Sequence, residues 1–570
     1  MTEFVSTRPL AGSAPRDTAR LSVRGAVLRR LAACDPFDLA SWALIAALVV
    51  IALFTFRAYA ISNDEGVQHH YGELIIAYYR SGLVDRSVFS FENLYLYGGL
   101  FDIVAVLLGQ LLPIDPYDLR HILCALTGVS GIAAAAGVAR QVAGQRAGLL
   151  AALSLAVCGP WYGAMFNHTK DIPLAAAMAG ATFFLIRCAR RLPTPRPADV
   201  AMLGLLTGAA LGMRVLGLLL FFYAALAIVM ALPKPLRGGS RDDWRDNFQF
   251  ALASVRALLP AALIAYALMI LAWPWAALAP LNPIRGLFAF SEFQYHIRTI
   301  LAGQVYEMAS VPRLYVPIYI LVRVPLLTLC GAALALAFAA LPRLAAGPVR
   351  RRDIALVGTM VIFPLAMQVI CHGPAFTGLR HFLFVVPLLA VLAGAGLDLG
   401  AGALAARSGL LASAALAVFG AALLWDATTL VRLHPYEYLF YNSMVGGLEG
   451  ASRRYDTDYW VNIMPAAVEG LESYLTRTEH TGAVSRAPHR YTVAVCGERI
   501  AFEHRAKSRL LQWIRMQRWE QADFFIAPTH MNCDRILDGK VIVTIQRMGV
   551  PIGYVKDRRG LRRPPAPATP

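Results

Sequence analysis

Long apolar runs recur along most of this 570-residue chain as far as Asp426. Runs such as Ala40–Phe56 and Leu410–Trp425 approach the roughly 20 residues that cross a bilayer as a helix. Because they are continuous rather than alternating, they exclude a transmembrane β-barrel. The pattern predicts a polytopic α-helical membrane protein with about eleven spans. The predicted spans are 39–59, 120–139, 147–166, 171–189, 199–213, 215–232, 251–278, 318–341, 354–371, 380–397 and 408–426.

Basic residues indicate how these spans are threaded. The formal net charge is +17, and the basic residues cluster in short loops. If the apolar segment 96–112 crosses the membrane, the basic loops at Arg140, 187–196, 234–245 and 343–352 all lie outside. If it lies at the outer interface instead, all four are cytoplasmic, as the positive-inside rule requires. We therefore predict an interfacial helix at about 96–112 in a first outer loop, 61–119, and no nucleic-acid partner for the charge.

This threading divides the chain into four parts. Residues 1–38 form a basic cytoplasmic N-terminus, without a separate apolar core that would indicate a cleavable signal peptide. Residues 39–426 are the membrane module and 427–557 a small outer α/β domain. Residues 558–570 are basic and rich in Pro and Ala, as is typical of a disordered tail.

Within the outer domain the pattern predicts alternating short helices and strands. Helices are predicted at Met464–Leu475 and Leu510–Trp519, strands at Tyr491–Val495 and Phe524–Ala527, and a hairpin at Val541–Ile545 with Gly553–Val555. Cys496 and Cys533 each follow a strand, and both a disulfide and two free thiols stay open.

Candidate chemistry begins directly after the first span, at Asp64-Glu65. A carboxylate at the mouth of a membrane cavity is suited to act as general base for an acceptor hydroxyl. The alternative is that charged residues simply end a span. His69 and Tyr71 follow as candidate acceptor contacts, and since no third ligand stands at a metal-binding spacing, no metal site is predicted.

A second group is cationic and falls near the predicted outer ends of separate spans. Arginine binds phosphate oxygens through its planar fork and lysine as a point charge, so the group could hold one lipid phosphate or pyrophosphate. Snorkelling to lipid headgroups is the alternative for each member alone. The group consists of Arg120, Lys170, Arg214, Arg380 and His381.

Aromatic, amide and acidic residues cluster after the last span. Such mixtures are typical of carbohydrate-contacting surfaces, although an interfacial aromatic belt also explains the tyrosines. The candidate sugar or acceptor contacts are Tyr441, Asn442, Asp458, Tyr459 and Trp460.

The order of these features resembles the GT-C membrane glycosyltransferases, and most of all bacterial members of glycosyltransferase family 39. The shared features are the acidic pair after span one, the interfacial helix, Arg120 opening a span, Lys170-Asp171 in an outer turn, and Gly378-Leu379-Arg380-His381-Phe382. The resemblance implies inverting transfer of a sugar from a polyprenyl phosphate to an acceptor hydroxyl. Asp64 would then deprotonate the acceptor and Glu65 would orient the acceptor or share that role. Arg120, Lys170 and Arg380 would hold the donor phosphate.

The chain also departs from the family. Relatives have a His-Pro-Pro or Lys-Pro-Pro element where this chain has Tyr97-Gly98-Gly99, which leaves the sugar and the acceptor (glycan, lipid or protein) open; Asp102 is a candidate to replace part of that element. The resemblance implies that no cofactor is required, without excluding a divalent metal. The excess of Arg over Lys indicates a GC-rich bacterium, hence an inner-membrane protein with undecaprenyl phosphate as carrier.

A transporter or flippase of a lipid-linked or small anionic substrate is the alternative function. It needs ionisable residues near the bilayer midplane and preferably paired repeats. The predicted spans have few charges away from their ends, and no internal repeat is evident. The pattern therefore favours a transferase.

Overall fold

The computed structural model describes residues 35–235, 240–291, 297–341, 348–373, 375–480 and 490–561. The predictions for most of the basic N-terminus and for most of the C-terminal tail lie outside these residues. The described chain is mostly helical and ends in a small mixed sheet, so the predicted fold class is confirmed.

The first half of the membrane part is a series of helices joined by short turns. The helices are α1 (Pro36–Thr55), α2 (Glu65–Arg80), α3 (Leu100–Leu111), α4 (Pro116–Ala143), α5 (Gln145–Ala156), α6 (Gly159–Asn167), α7 (Asp171–Ala189), α8 (Pro197–Leu211) and α9 (Leu219–Met230).

The second half adds longer spans and one short hairpin. Its elements are α10 (Arg241–Ala272), α11 (Pro274–Leu278), α12 (Asn282–Ser291), β1 (Arg298–Leu301), β2 (Gln304–Glu307), α13 (Tyr315–Arg323), α14 (Leu326–Ala340), α15 (Pro348–Cys371), α16 (Val386–Ala405) and α17 (Gly409–Leu433). A 3₁₀ segment, Arg380–Val385, leads into α16.

In the described residues, seven helices are long and apolar enough to cross a membrane, and nine if each of two bent pairs is one span. Two shorter apolar helices, Pro197–Leu211 and Val215–Met230, correspond to the other two spans in our predicted set. The multi-pass architecture is therefore confirmed, and the count of eleven stays a prediction.

Two predicted spans are sharply bent pairs of helices. The span predicted at 147–166 bends by 67° between α5 and α6, and that at 318–341 bends by 114° between α13 and α14. Pro160 lies in the first turn of α6, and Pro325 directly precedes α14. Proline lacks the backbone N–H and clashes with the preceding turn, so each helix ends before it.

The predicted outer domain follows α17, and its elements are α18 (Gly447–Ala451), α19 (Met464–His480), β3 (Tyr491–Val495), α20 (Arg499–Arg505), β4 (Leu511–Trp513), β5 (Phe524–Pro528), β6 (Lys540–Arg547) and β7 (Val550–Asp557). Its helices pack against a five-stranded sheet of order β4-β3-β5-β7-β6. Strands β3, β4 and β5 are parallel, and β7 is antiparallel to both β5 and β6. A disulfide joins Cys496 and Cys533.

The prediction of a helix at Leu510–Trp519 is wrong. Leu511–Trp513 forms an edge strand paired in parallel with Tyr491–Val493, and a 3₁₀ segment follows at Met516–Gln521. Backbone hydrogen bonds to β3 stabilise this segment as a strand more than its short helical pattern of apolar residues favours a helix.

The outer domain is fixed to the membrane part by close backbone contact. A Cβ built on Gly163 of α6 would lie 2.1 Å from the backbone nitrogen of Tyr438, so only glycine fits there. Nearby, the Tyr59 hydroxyl donates to Glu437 Oε2 at 2.9 Å, and the Asn167 amide donates to Asn462 Oδ1 at 2.8 Å. The segment after α17 therefore lies directly over the ends of α1 and α6.

Candidate active site

The turn between α6 and α7 brings a carboxylate and two guanidinium groups together. Asp171 is the first residue of α7, where a negative charge is favoured by the helix dipole. Its side chain accepts from Arg380 Nε at 2.9 Å and pairs with Arg214 at 2.7 Å. Asp171 thereby holds two cations from distant segments side by side.

Arg380 also donates to Asp64, through its terminal nitrogen Nη2. The Arg380 side chain is only 8% exposed, whereas that of Asp64 is 36% exposed. Burial raises the pKa of Asp64, but the positive charges of Arg380 and Lys170 outweigh burial and bring it below its usual value. Asp64 is therefore an ionised carboxylate that solvent or a substrate can reach.

Lys170 completes this group of charges. Its ammonium lies 4.2 Å from the centre of the Tyr97 ring, and the Arg214 guanidinium lies 5.7 Å from the same ring. Burial lowers the pKa of Lys170 to about 8, in part offset by Asp64. We call Asp64, Lys170, Asp171, Arg214 and Arg380 the ion cluster.

Glycine places Tyr97 beneath the cations. A Cβ on Gly98 would lie 2.1 Å from the carbonyl oxygen of Gly212, so the chain approaches the end of α8 as only glycine allows. The Tyr71 hydroxyl donates to the Tyr97 carbonyl at 2.9 Å, which fixes the loop from the other side. Tyr71 thus lies behind Tyr97, as a support for it.

Glu65 and Arg120 form a second network, which is shielded from solvent. Glu65 is fully buried, accepts from the backbone of Ser62 at 2.7 Å and pairs with His121 at 3.2 Å. Arg120 is also fully buried and pairs with Asp102 at 2.8 Å. Burial raises the pKa of Asp102, against the lowering effect of Arg120. Arg120 thus pairs with both Glu65 and Asp102, and Asp102 also interacts electrostatically with Lys170 of the ion cluster.

His69 and His381 lie at the margins of these groups. The His69 ring lies 5.8 Å from that of Tyr117 and its Nε2 is 3.8 Å from Glu73. The His381 ring meets Phe376 edge-on at 4.5 Å.

The outer domain covers the ion cluster with an aromatic strip. The Arg380 guanidinium lies 4.2 Å from the centre of the Trp460 ring, and the Tyr459 carbonyl accepts from Asn63 at 3.4 Å. Asp458 accepts from the backbone of Asn462 at 2.8 Å and of Ile463 at 3.0 Å, and it is fully buried. Burial raises its pKa to about 6 despite these hydrogen bonds. Trp460 therefore meets the ion cluster, while Asp458 holds the strip in place.

Tyr441 and Asn442 lie outside the ion cluster. The Asn442 amide donates to the carbonyls of Leu321 at 2.6 Å and Val324 at 2.8 Å, which bridges the break between α13 and α14. The Tyr441 hydroxyl donates to the Asp456 carbonyl at 2.6 Å. Both residues line a separate cavity beside α17.

Arg323, at the end of α13, is a residue that the sequence analysis missed. Its side chain is 2% exposed and lies 4.9 Å from the Tyr441 ring, and in the described chain it has no carboxylate within ion-pair distance. A small cavity is lined by Arg323, Arg380, His168 and Tyr459 together. A single arginine in an otherwise apolar segment was the available signal.

Within the described residues, no three His, Cys, Asp or Glu side chains are grouped so that they could hold a metal ion. The ion cluster pairs each of its carboxylates with cations instead.

Comparison with known proteins bears on the membrane part. A family model described as dolichyl-phosphate-mannose-protein mannosyltransferase matches residues 119–273, a range that includes Lys170, Asp171 and Arg214. This match confirms the predicted family resemblance over that range. A comparison with curated proteins found no match.

Two solved structures are similar in outline. ArnT from Cupriavidus metallidurans, in a crystal structure with undecaprenyl phosphate, aligns with a TM-score of 0.45 at 14% identity over 91% of this chain and 98% of that one. The Archaeoglobus fulgidus oligosaccharyltransferase, tethered to an acceptor peptide, aligns with a TM-score of 0.44 at 14% identity over 86% of this chain and 69% of that one.

Proposed function

We propose that this protein transfers a sugar from a polyprenyl-phosphate donor to an acceptor hydroxyl, with inversion at the sugar carbon. The observation that supports this most is the sharing of Arg380 between Asp64 and Asp171. It places a reachable carboxylate next to a cationic site built from separate segments. A base beside a phosphate site is what this transfer requires.

The charge balance of the ion cluster suits a phosphodiester. With Lys170 protonated, three cations face two carboxylates, so the cluster has a net charge of +1. A polyprenyl-phosphate sugar bears one negative charge and its leaving phosphate bears a second. The cluster therefore stabilises the charge that develops in the transition state more than the charge of the bound donor.

In the proposed step, Asp64 takes the proton of the acceptor hydroxyl. The acceptor oxygen forms a bond to the anomeric carbon, and the bond from that carbon to the phosphate oxygen breaks. The electron pair stays on the polyprenyl phosphate, next to Lys170, Arg214 and Arg380. Glu65 and Arg120 have positioning roles here, since they hold the start of α2 against α4.

The donor is tested by mass spectrometry of lipid retained by the detergent-extracted protein. Wild type is expected to retain a polyprenyl-phosphate sugar, undecaprenyl being the chain we propose. A Lys170→Ala, Arg380→Ala double variant is expected to lose it, because two of the three cations are gone. Replacing the exposed Arg57 by alanine is the control, since Arg57 pairs with Asp118 outside the cluster. Equal retention by wild type and the double variant would remove the phosphate from this site.

We also propose that the ion cluster faces the outer side of a bacterial inner membrane, with the N-terminus inside and residues 427–557 outside. The cluster lies under the outer domain, where Trp460 covers Arg380. In a background without the exposed Cys330 and Cys371, a cysteine at Val84 is expected to react with an impermeant thiol reagent on intact cells. A cysteine at Thr194, in the basic turn after α7, is expected not to react. Labelling of position 194 with protection of position 84 would reverse the orientation.

A further inference from the structure

A cavity of about 440 Å³ lies beside the C-terminal half of α17, away from the residues of the ion cluster. Its walls come from α14, α17 and the segment that follows α17. Most of the wall is apolar, with Leu326, Trp425, Leu433 and Phe440 among its residues. A volume of this size is within the range of small-ligand sites.

One carboxylate lines this cavity without a partner. Asp426 is 8% exposed, and among the described residues it has no hydrogen bond and no ion pair. Within α17, only Asp426, Leu430 and Leu433 are buried. A buried carboxylate without a hydrogen-bond donor is unfavourable, so a ligand that donates hydrogen bonds is favoured beside Asp426.

The charge of the residues that line the cavity indicates which kind of hydrogen-bonding ligand fits it. Glu449 is a second acidic residue at the exposed rim, and the residues that line the cavity include no Lys, Arg or His. Two carboxylates without a counter-charge complement a cation. An ammonium group supplies both the charge and the hydrogen bonds that Asp426 lacks.

The position of Asp426 along α17 indicates that this cation is part of a lipid. Asp426 is the last residue of the span predicted at 408–426, which puts its carboxylate at the level of the lipid headgroups. Trp425 beside it is exposed, as is Leu424. These apolar side chains are suited to contact the acyl chain of a lipid whose headgroup reaches Asp426.

We infer that this cavity binds a membrane lipid with a primary ammonium headgroup. The ammonium donates to Asp426, and an acyl chain lies along Leu326 and Trp425. Tyr441 and Asn442, predicted as sugar contacts, form part of this lipid site. The inference does not depend on the chemistry proposed for Asp64.

The test uses the full-length protein in nanodiscs with equal amounts of phosphatidylethanolamine, phosphatidylcholine and phosphatidylglycerol. Native mass spectrometry then measures the lipid that stays bound. Wild type is expected to favour the ethanolamine lipid over the choline lipid by about tenfold, since only the former donates charge-assisted hydrogen bonds. Asp426→Asn is expected to remove this preference, while Asp118→Asn, which neutralises a carboxylate on α4, keeps it.

A second variant guards against an effect of misfolding. Ala422→Phe fills the cavity and leaves Asp426 in place, and it is expected to lower total retained lipid at this site with an unchanged thermal unfolding temperature. Equal retention of the two lipids by wild type would overturn the inference. So would a preference that survives both Asp426→Asn and Ala422→Phe. Retention of polyprenyl phosphate in the same spectra reports on the ion cluster separately.

Discussion

Asp64→Asn is expected to lower turnover by about 100- to 10,000-fold while the protein stays folded in the membrane, which is the range of lost general base catalysis. Asparagine keeps the shape of the side chain but cannot take the proton of the acceptor. It also still accepts a hydrogen bond from Arg380 and removes one negative charge from the ion cluster, so donor binding should not weaken. The measurement is kcat with a purified polyprenyl-phosphate sugar, alongside the donor KM.

Glu498 provides the matched control for Asp64. It lies on the outer domain, immediately before α20, and its pKa is raised by burial and by the negative charge of Asp64. Glu498 therefore belongs to the same electrostatic neighbourhood but lacks the bond to Arg380. Glu498→Gln is expected to change kcat by less than about tenfold. Large loss in Glu498→Gln with near-normal turnover in Asp64→Asn would move the base to the outer domain.

The sequence located the acidic pair but could not say which carboxylate is reachable. Two adjacent residues at the start of a helix point in different directions, and here Glu65 turns inward to His121 while Asp64 turns to Arg380. The helix itself, α2, was missed, because its polar residues disguise a buried face at Gln68, Tyr71 and Ile75. The direction of each carboxylate depends on that helix.

The predicted convergence of cations depended on topology, which hydropathy and loop charges can supply. Arg214 and Arg380 come together because both bind Asp171, and Lys170 lies beside them with its ammonium near the Tyr97 ring that Arg214 also faces. Arg120 does not join them in this structure, since Asp102 and Thr169 are nearer to it. Pairing between segments far apart in sequence is not visible in one chain.

In the outer domain, too, structure that depends on pairing with a distant segment could not be predicted from the sequence. Its strands were predicted at 491–495 and 524–527 from apolar patterning, which buried strands express directly, and the structure has them at Tyr491–Val495 and Phe524–Pro528. The edge strand Leu511–Trp513 was not, because its strand character comes from a neighbour. Arg323 was missed for a related reason. It is a site candidate only because it lines one small cavity with Arg380 and His168, which are distant in sequence.

Lys170→Met is expected to lower kcat/KM by about 100- to 1,000-fold, comparable to losing one preorganised donor to a developing negative charge. Burial lowers the pKa of Lys170 to about 8, so the ammonium is protonated below that pH and neutral above it. In wild type, kcat/KM should therefore be constant toward neutral pH and fall as pH rises through about 8, because this parameter reports the free enzyme. Burial raises and the cluster cations more strongly lower the pKa of Asp64, so Asp64 stays ionised throughout this range.

Lys170→Arg keeps the positive charge at this position but does not titrate near pH 8. Guanidinium remains protonated throughout the accessible range, so this variant should lose the alkaline fall even if its absolute rate is lower. Tyr97 offers a ring that either cation can face, which makes arginine tolerable at this position. If the alkaline fall persisted unchanged in Lys170→Arg, another group would be responsible for it, and Lys170 would not supply the charge that holds the leaving phosphate.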